Sequence, residues 1–178
     1  MAKNKDEIVK KGGNELWYKE VNEDGSNLSP TPATWATLGH IQESEFNDET
    51  EFEKTYNEAG ELVGIDEGNR EPQIKGLLMQ SSKTILDFLG KGCRDKYFAI
   101  YKYEGIVNKK HQELWIAVAQ IRPLIQLKSG TKRPPIEITA MKVDSAVTIT
   151  TTLPSVAKAS TATIPANDYW VITETAVS

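Results

Sequence analysis

Cysteine and histidine are scarce in this chain of 178 residues, which has one cysteine, Cys93, and two histidines, His40 and His111. A single cysteine excludes an internal disulfide framework, and the three residues lack the spacing of a zinc site. We therefore expect no structural metal. A chain of this length can bury enough apolar surface to fold without such supports.

Long apolar runs are also missing. The chain begins M-A-K-N-K-D-E, without the apolar stretch of a secretory signal, and no segment approaches the roughly 18 apolar residues of a membrane span. We expect a protein that is made and kept in a cytosol-like compartment, without a membrane anchor.

The common catalytic and nucleotide-binding motifs are absent too. The sequence contains no G-x-S-x-G, H-E-x-x-H or P-loop pattern. Gly90-Lys91-Gly92 is glycine-rich, but it follows a predicted helix instead of opening one, which favours a helix end over a phosphate site. Cys93 lies near Lys91 and Arg94, yet a lone cysteine at a helix end is more often inert than reactive. The sequence predicts no enzyme activity and no cofactor.

Acidic residues are concentrated in one segment. From Glu43 to Glu71 the sequence has eleven Asp and Glu residues but only Lys54 and Arg70 as bases, and because the whole chain has a net charge of −4, the remainder is net positive. This polarity suits an oriented subunit with one acidic face and basic surfaces that meet its neighbours. Binding of nucleic acid through the acidic segment is disfavoured, since phosphates would be repelled.

Within this segment, residues Glu43 to Thr55 alternate with a period of two. The pattern predicts one strand with carboxylates along one face, while Phe46, Phe52 and Tyr56 lie on the other face against a core. A helix would scatter the glutamates around its axis. The carboxylate face has two explanations, a functional acidic surface or a solvated strand edge kept acidic to block aggregation.

The remaining pattern is mainly β. About eight strands are predicted, with one helix over residues 82–89 that is capped by Ser81 or Ser82 and ended by Gly90 or Gly92 in a left-handed conformation. We predict a β-sandwich or barrel with one packed α-helix and a long acidic loop excursion. The excursion runs from Asn57 to Pro72 and is either a long hairpin or an ordered loop.

The predicted domain organisation has three parts. Residues 1–13 form a flexible N-terminal arm, residues 14–143 the β-sandwich or barrel, and residues 144–178 Thr/Ala/Val-rich strands of uncertain role.

The order of these elements resembles a known family. The segment G-x-I-x-E-S-E-F (Gly39 to Phe46), the acidic strand and excursion, and the strand Q-I-K-G-L-L-M-Q (Gln73 to Gln80) running into the helix look like the major tail protein, or tail tube protein, of tailed bacteriophages. The resemblance covers roughly residues 14–143. It implies hexameric rings that stack into a hollow tube through which DNA passes without specific binding, in the virion tail and, during assembly, in the host cytoplasm.

The resemblance also implies partners and residue roles. The chain's first partner would be itself, with tape measure, baseplate and tail terminator proteins as further partners. The acidic residues expected to line the bore are Glu43, Glu45, Glu49, Glu51 and Glu53. The residues expected to contact the neighbouring ring are Leu62, Val63, Ile65, Asp66 and Glu67. The basic residues expected to meet them are Lys109, Lys110, Lys128, Lys132 and Arg133.

Two other functions remain open at this point. The first is a different virion part, either a tail terminator or a head decoration protein. The second is a carbohydrate-binding β-sandwich module in which Trp17, Trp35 or Trp170 forms an exposed stacking platform.

Overall fold

The structure is a computed structural model that describes residues 14–26, 35–125, 133–150 and 161–176. Within these ranges the chain is mainly β, with eleven strands and one short helix. The predicted N-terminal arm lies outside the described residues. The elements are β1 (Asn14–Val21), β2 (Ala36–Asn47), β3 (Thr50–Tyr56), β4 (Leu62–Arg70), β5 (Gln73–Leu78), α1 (Lys83–Asp87), β6 (Tyr97–Val107), β7 (Lys110–Ile121), β8 (Pro135–Ala140), β9 (Val147–Thr150), β10 (Thr161–Ile164) and β11 (Trp170–Ala176).

Six of the strands close into a barrel. Their order is β7-β6-β1-β2-β5-β8, and β8 pairs back onto β7. All of these pairings are antiparallel. Closure pairs the strand edges that an open sheet would expose. Of the two architectures that the sequence left open, sandwich and barrel, the chain adopts the barrel.

Strand β7 borders three other strands. One of its edges pairs with β6, whereas the other pairs with β11 at residues 110–116 and with β8 at residues 119–121. Its residues from Glu113 to Ala119 are buried on both faces, as expected of a central strand. From the segment after residue 143, strand β11 thus extends the main sheet.

The barrel wall separates two hydrophobic clusters. The first takes residues from all six barrel strands, among them Ile100 and Ile116, and it includes Ile85 and Leu89 from the helical region. The second lies on the other side of β1, β6 and β7. Its members on β9 and β10 are Ile149, Ala162 and Ile164. Alternation along β6 and β7 thus builds two cores from one wall.

The helix starts where the sequence predicts and ends differently. The hydroxyl of Ser82 accepts a hydrogen bond from the backbone N–H of Ile85, so Ser82 is the N-cap. After Asp87 the chain continues as a π-helical turn, Phe88–Gly92. The prediction of a left-handed end at Gly90 or Gly92 is wrong, because the first positive φ after the helix, 57°, belongs to Asp95. Gly90 instead allows close packing, since a Cβ there would lie 2.5 Å from Ile125 Cδ1.

The predicted single acidic strand is two strands in two sheets. Strand β2 ends at Asn47, and β3 begins at Thr50 in a separate two-stranded sheet with β4. A bulge already interrupts β2 between Gln42 and Glu45, where Glu43 adopts a positive φ of 50°. A bulge shifts which side chains face the core. The prediction that Glu43 to Thr55 form one continuous ladder is therefore wrong.

The acidic segment is an insertion between two paired strands. Asn47 at the end of β2 lies opposite Gln73 at the start of β5, so the chain between them leaves the barrel and returns to the same place. Most of this insertion is regular, because β3 and β4 pair with each other. Of the two alternatives for Asn57 to Pro72, a long hairpin and an ordered loop, the chain adopts the hairpin, with β4 as its second strand. We call β3, β4 and their connecting turn the acidic hairpin.

The burial pattern gives a first testable prediction. Leu89 is fully buried, whereas Leu62 on the acidic hairpin is 49% exposed. Leu89→Ala should lower the free energy of unfolding by about 2–5 kcal/mol, because it leaves a cavity in the core. Leu62→Ala should change it by no more than about 0.5 kcal/mol in the monomer. Urea unfolding of dilute protein, followed by tryptophan fluorescence, measures both. Equal effects would show that the helical region does not support the barrel core.

Candidate functional site

The acidic hairpin is the least supported part of the described chain. Strands β3 and β4 form a sheet of their own, and no other described strand pairs with either of them. An isolated two-stranded hairpin is only marginally stable in water and usually needs a surface to pack on. The hairpin therefore depends on its attachment at the base and on whatever covers its faces.

One face of the hairpin is apolar and exposed. Phe52 is 61% exposed, Tyr56 56% and Ile65 55%, and Leu62 lies opposite Tyr56. The sequence placed Phe52 and Tyr56 against the core together with Phe46, and for those two residues the prediction is wrong. Only Phe46, at the end of β2, packs on the first cluster. We call Phe52, Tyr56, Leu62 and Ile65 the apolar face.

The other face of the hairpin is acidic. Glu53 lies opposite Asp66, and Glu51 is two residues earlier on the same side of β3. Opposite residues that carry the same charge destabilise a strand pair. All three side chains are exposed, so water can screen this repulsion. We call Glu51, Glu53 and Asp66 the acidic face.

The predicted bore residues are divided between the hairpin and the barrel. Glu49 lies just before β3 and lines one depression together with Glu51 and Glu71. Glu45 instead lies on the barrel opposite Lys75 of β5, and Lys75 is in turn opposite Glu137 of β8. Glu45, Lys75 and Glu137 therefore lie side by side across three neighbouring strands and alternate in charge. Glu43 is exposed in the bulge of β2.

The residues predicted to contact the next ring all lie on β4. The strand carries Leu62, Val63, Ile65, Asp66 and Glu67, and each of these five is exposed. Asp66 belongs to the acidic face, whereas Ile65 and Glu67 pair with Lys54 and Phe52 on the apolar face. The residues predicted to form one contact surface thus lie on two different faces of β4. The sequence analysis did not distinguish these faces.

The turn of the hairpin is held by Asn57. Its side-chain oxygen accepts hydrogen bonds from the backbone N–H groups of Ala59 and Glu61, at 3.0 and 2.9 Å. Its amide donates to the Glu61 carboxylate at 3.0 Å. Gly60 supplies the left-handed residue, with a φ of 79°. Local hydrogen bonds therefore define the end of the hairpin without help from the barrel.

A partly buried ionic contact fixes the base of the hairpin. Arg70 donates from Nε to Asp48 Oδ1 at 2.9 Å and from Nη2 to Asp48 Oδ2, which is a bidentate pair. The indole N–H of Trp170 donates to the same carboxylate. The Arg70 guanidinium also lies 4.9 Å from the Tyr169 ring and 3.6 Å from the Asp168 carboxylate. We call Asp48, Arg70 and Trp170 the anchor.

The sequence did not reveal the anchor. Asp48 was counted among the acids, and Trp170 was assigned to a strand near the C-terminus, 122 positions away. The one available signal was Arg70, the second of only two bases in the acidic segment.

The contribution of the anchor to the free energy of unfolding should depend on pH. The hydrogen bonds from Arg70 lower the pKa of Asp48, with a smaller contribution from Trp170. Because the pKa is lower in the folded state, the anchor stabilises the protein above the unfolded value of about 3.9. This contribution is lost as the pH falls through the folded pKa. Asp48→Asn should therefore cost about 1–3 kcal/mol at neutral pH, and the difference from the parent should shrink in acid.

Urea unfolding at neutral pH and at successively lower pH measures this difference. Asp66→Asn, on the exposed acidic face, is the matched control and should show no loss at neutral pH. A difference for Asp48→Asn that stays constant down to the lowest pH would contradict the ionic role of Asp48.

The predicted basic partners are not gathered at one surface. Lys110 forms an ion pair with Glu174 of β11 at 3.1 Å, and Arg133 donates to the side chain of Gln42 at 2.6 Å. Lys109 lies in the turn between β6 and β7 with a positive φ of 62°. Lys128 and Lys132 lie outside the described residues. Lys110 and Arg133 thus have contacts within their own chain.

Several other ionisable groups in or beside the barrel wall are buried. His111 is buried, and its Nδ1 lies 3.0 Å from the hydroxyl of Tyr103. Burial, and then the neighbouring Glu113, raises the pKa of Tyr101. Burial also raises the pKa of the Cys93 thiol, which is the opposite of what a reactive thiolate needs. In the described ranges no three His, Cys, Asp or Glu side chains are grouped so that they could hold a metal ion.

Two further features bear on the expectations from sequence. Trp17 and Trp35 are buried, and Trp170 is half-buried within the anchor, so none of them is an exposed stacking platform for a sugar. Among the described residues, no helix has the length and apolar character needed to cross a membrane.

Comparison with known proteins does not assign this chain to a family. No protein-family model matches the chain, and no curated protein matches it either.

Proposed function

We propose that this chain is a structural subunit that assembles with copies of itself into stacked rings, forming the tail tube of a bacteriophage. The observation that carries the proposal is the acidic hairpin, a two-stranded projection whose apolar face is more than half exposed at Phe52, Tyr56 and Ile65. Exposed apolar clusters of this kind mark surfaces that another molecule covers. Three parts of the proposal, namely the tube, its place in the virion tail and the hexameric ring, rest on the resemblance in element order.

The two faces of the hairpin suit different environments in such an assembly. The apolar face is suited to pack on a neighbouring subunit, because aromatic and aliphatic side chains provide the burial that interfaces need. The acidic face is suited to a water-filled bore, because carboxylates there need no partner and repel DNA phosphates. DNA would then slide past Glu51, Glu53 and Asp66 without binding. Tape measure, baseplate and tail terminator proteins would complete the tube.

Shortening the hairpin tests this proposal. Thr50 and Arg70 lie opposite each other, so residues 51–69 can be replaced by Asn-Gly, a two-residue turn that joins antiparallel strands. The variant keeps the anchor and should fold and melt like the parent. It should form no tubes in negative-stain electron microscopy, whereas the concentrated parent protein should form long ones. Tubes from the shortened variant would contradict the role of the hairpin.

The same images separate the alternatives. A parent protein that gives single rings fits a tail terminator better than a tube subunit. A parent protein that remains monomeric at high concentration fits a head decoration protein, which needs the capsid for assembly.

Neutralising the acidic face tests the bore. The triple variant Glu51→Gln, Glu53→Gln and Asp66→Asn should be as stable as the parent or more stable by a few tenths of a kcal/mol, because it removes like charges that face each other. It should still form tubes, which makes it the matched control for the shortened hairpin. Assembled particles should release DNA more slowly, measured as DNA ejection in a fluorescence assay. Unchanged ejection would place the acidic face outside the bore.

A further inference from the structure

An aromatic groove opens on the barrel beside the helix. Tyr18 of β1 stacks on Phe88 with ring centroids 4.5 Å apart, and Phe98 of β6 meets both rings edge-on, at 5.7 and 5.5 Å. The groove has a volume of about 700 Å³. Tyr18 and Phe88 are only half-buried, so part of this aromatic surface faces the open groove. We call Tyr18, Phe88 and Phe98 the aromatic groove.

The rim of the groove is basic. Lys83, Lys91 and Lys96 line it, against the acids Glu20 and Asp87. Lys83 pairs with Asp87, and Lys96 pairs with Glu20 at 3.1 Å. The lining therefore carries one more positive charge than negative. The hydrogen bond from Lys83 lowers the pKa of Asp87, and the charge of Lys91 makes a smaller contribution. A ligand with apolar rings and carboxylates at its border matches both the floor and the rim.

The acidic hairpin has that composition. Its apolar face presents two aromatic rings, Phe52 and Tyr56, with the exposed Lys54 between them on the same face. Glu67 lies on the same face opposite Phe52, and Glu58 is exposed in the turn. The aromatic rings can pack on Tyr18 and Phe88 while these carboxylates approach the lysines of the rim.

The groove and the hairpin lie at opposite ends of one strand. Tyr18 lies opposite Ala36, the first residue of β2, whereas the hairpin leaves the barrel after Asn47, the last residue of β2. At about 3.3 Å per residue these positions are about 35 Å apart along the strand. A contact between hairpin and groove therefore joins two copies head to tail. Such a heterologous contact propagates along a stack when the rotation between copies does not close it into a ring.

We propose that the aromatic groove receives the apolar face of the acidic hairpin from a second copy of this chain. The inference rests on the proposed function, because it names the surface that covers the hairpin between stacked subunits. Phe52 and Tyr56 pack on Tyr18 and Phe88, and Lys83 and Lys91 face Glu58 and Glu67. The acidic face stays in solvent, on the side away from the groove.

Two variants that each lack one half of the contact test the pairing directly. The shortened-hairpin chain keeps its groove, and the chain Lys83→Glu/Lys91→Glu keeps its hairpin. Each alone should sediment as a monomer or a single ring without stacking, whereas their mixture should form a complex through one hairpin–groove contact. Adding Lys83→Glu/Lys91→Glu to the shortened chain should weaken this complex about tenfold or more. Sedimentation velocity at low salt measures all four samples.

A matched control separates a local effect from a change of net charge. Arg122→Glu/Lys142→Glu changes the charge by the same amount and also breaks one surface ion pair, Arg122 with Glu137. This control should stack like the parent. Glu58→Lys/Glu67→Lys, placed in the same chain as Lys83→Glu/Lys91→Glu, should restore stacking, because the charges are exchanged across the contact.

The outcomes distinguish the inference from the function on which it rests. Normal tubes from Lys83→Glu/Lys91→Glu, or no complex between the two half-contact chains, would overturn the groove as the docking surface and leave the tube intact. A specific complex together with a parent protein that never forms tubes would support the hairpin–groove contact and overturn the tube. Failure of the charge exchange to restore stacking would also overturn the pairing of these residues.

Discussion

The division of one edge of β7 between two strands is the constraint on which the described structure depends. Pairing of residues 119–121 with β8 closes the barrel, and pairing of residues 110–116 with β11 extends the same sheet beyond it. The start of β11 therefore lies close to where the barrel closes. This brings Trp170 against Phe46, with ring centroids 5.2 Å apart, and places its indole N–H on Asp48. The C-terminal strand thus reaches the point at which the acidic hairpin leaves the barrel.

The anchor lets a hairpin with little core of its own project from the barrel. The strands of the hairpin contribute neither to the first cluster nor to the second, so burial does not hold them in place. Bidentate pairing of Arg70 with Asp48 joins the two ends of the insertion, and Trp170 ties both to the sheet. Bidentate charge-assisted hydrogen bonds add geometric specificity to this attachment as well as energy.

Hydrophobic periodicity in the sequence predicted the barrel strands. It did not predict that the acidic segment forms a separate two-stranded sheet, and the reasons are physical. Strands β6 and β7 have apolar residues on both faces, and Ser82 starts the helix, because burial pattern and capping are local properties. Alternation of Glu with Phe and Tyr fits two structures equally well. One is a strand packed on the core of its own chain, and the other is a strand whose apolar face is exposed in the monomer. The sequence pattern continues unchanged through the bulge at Glu43 and the break before Thr50, so it concealed the passage from one sheet to another. The anchor joins residues 122 positions apart and has no local pattern.

In the proposed assembly, the insertion of the hairpin between β2 and β5 determines direction. The hairpin leaves one end of β2, and the aromatic groove lies near the other end, so every subunit would offer a donor surface and an acceptor surface at opposite ends of this strand. A contact between the two surfaces is directional, and each added subunit binds in the same orientation. Residues opposite each other on β3 and β4 share a face, so one side carries the apolar residues, interrupted by Lys54 and Glu67, while the other carries Glu51, Glu53 and Asp66. A single two-stranded element would then provide both the stacking contact and the charge of the bore, which explains why acids and aromatic residues alternate along it.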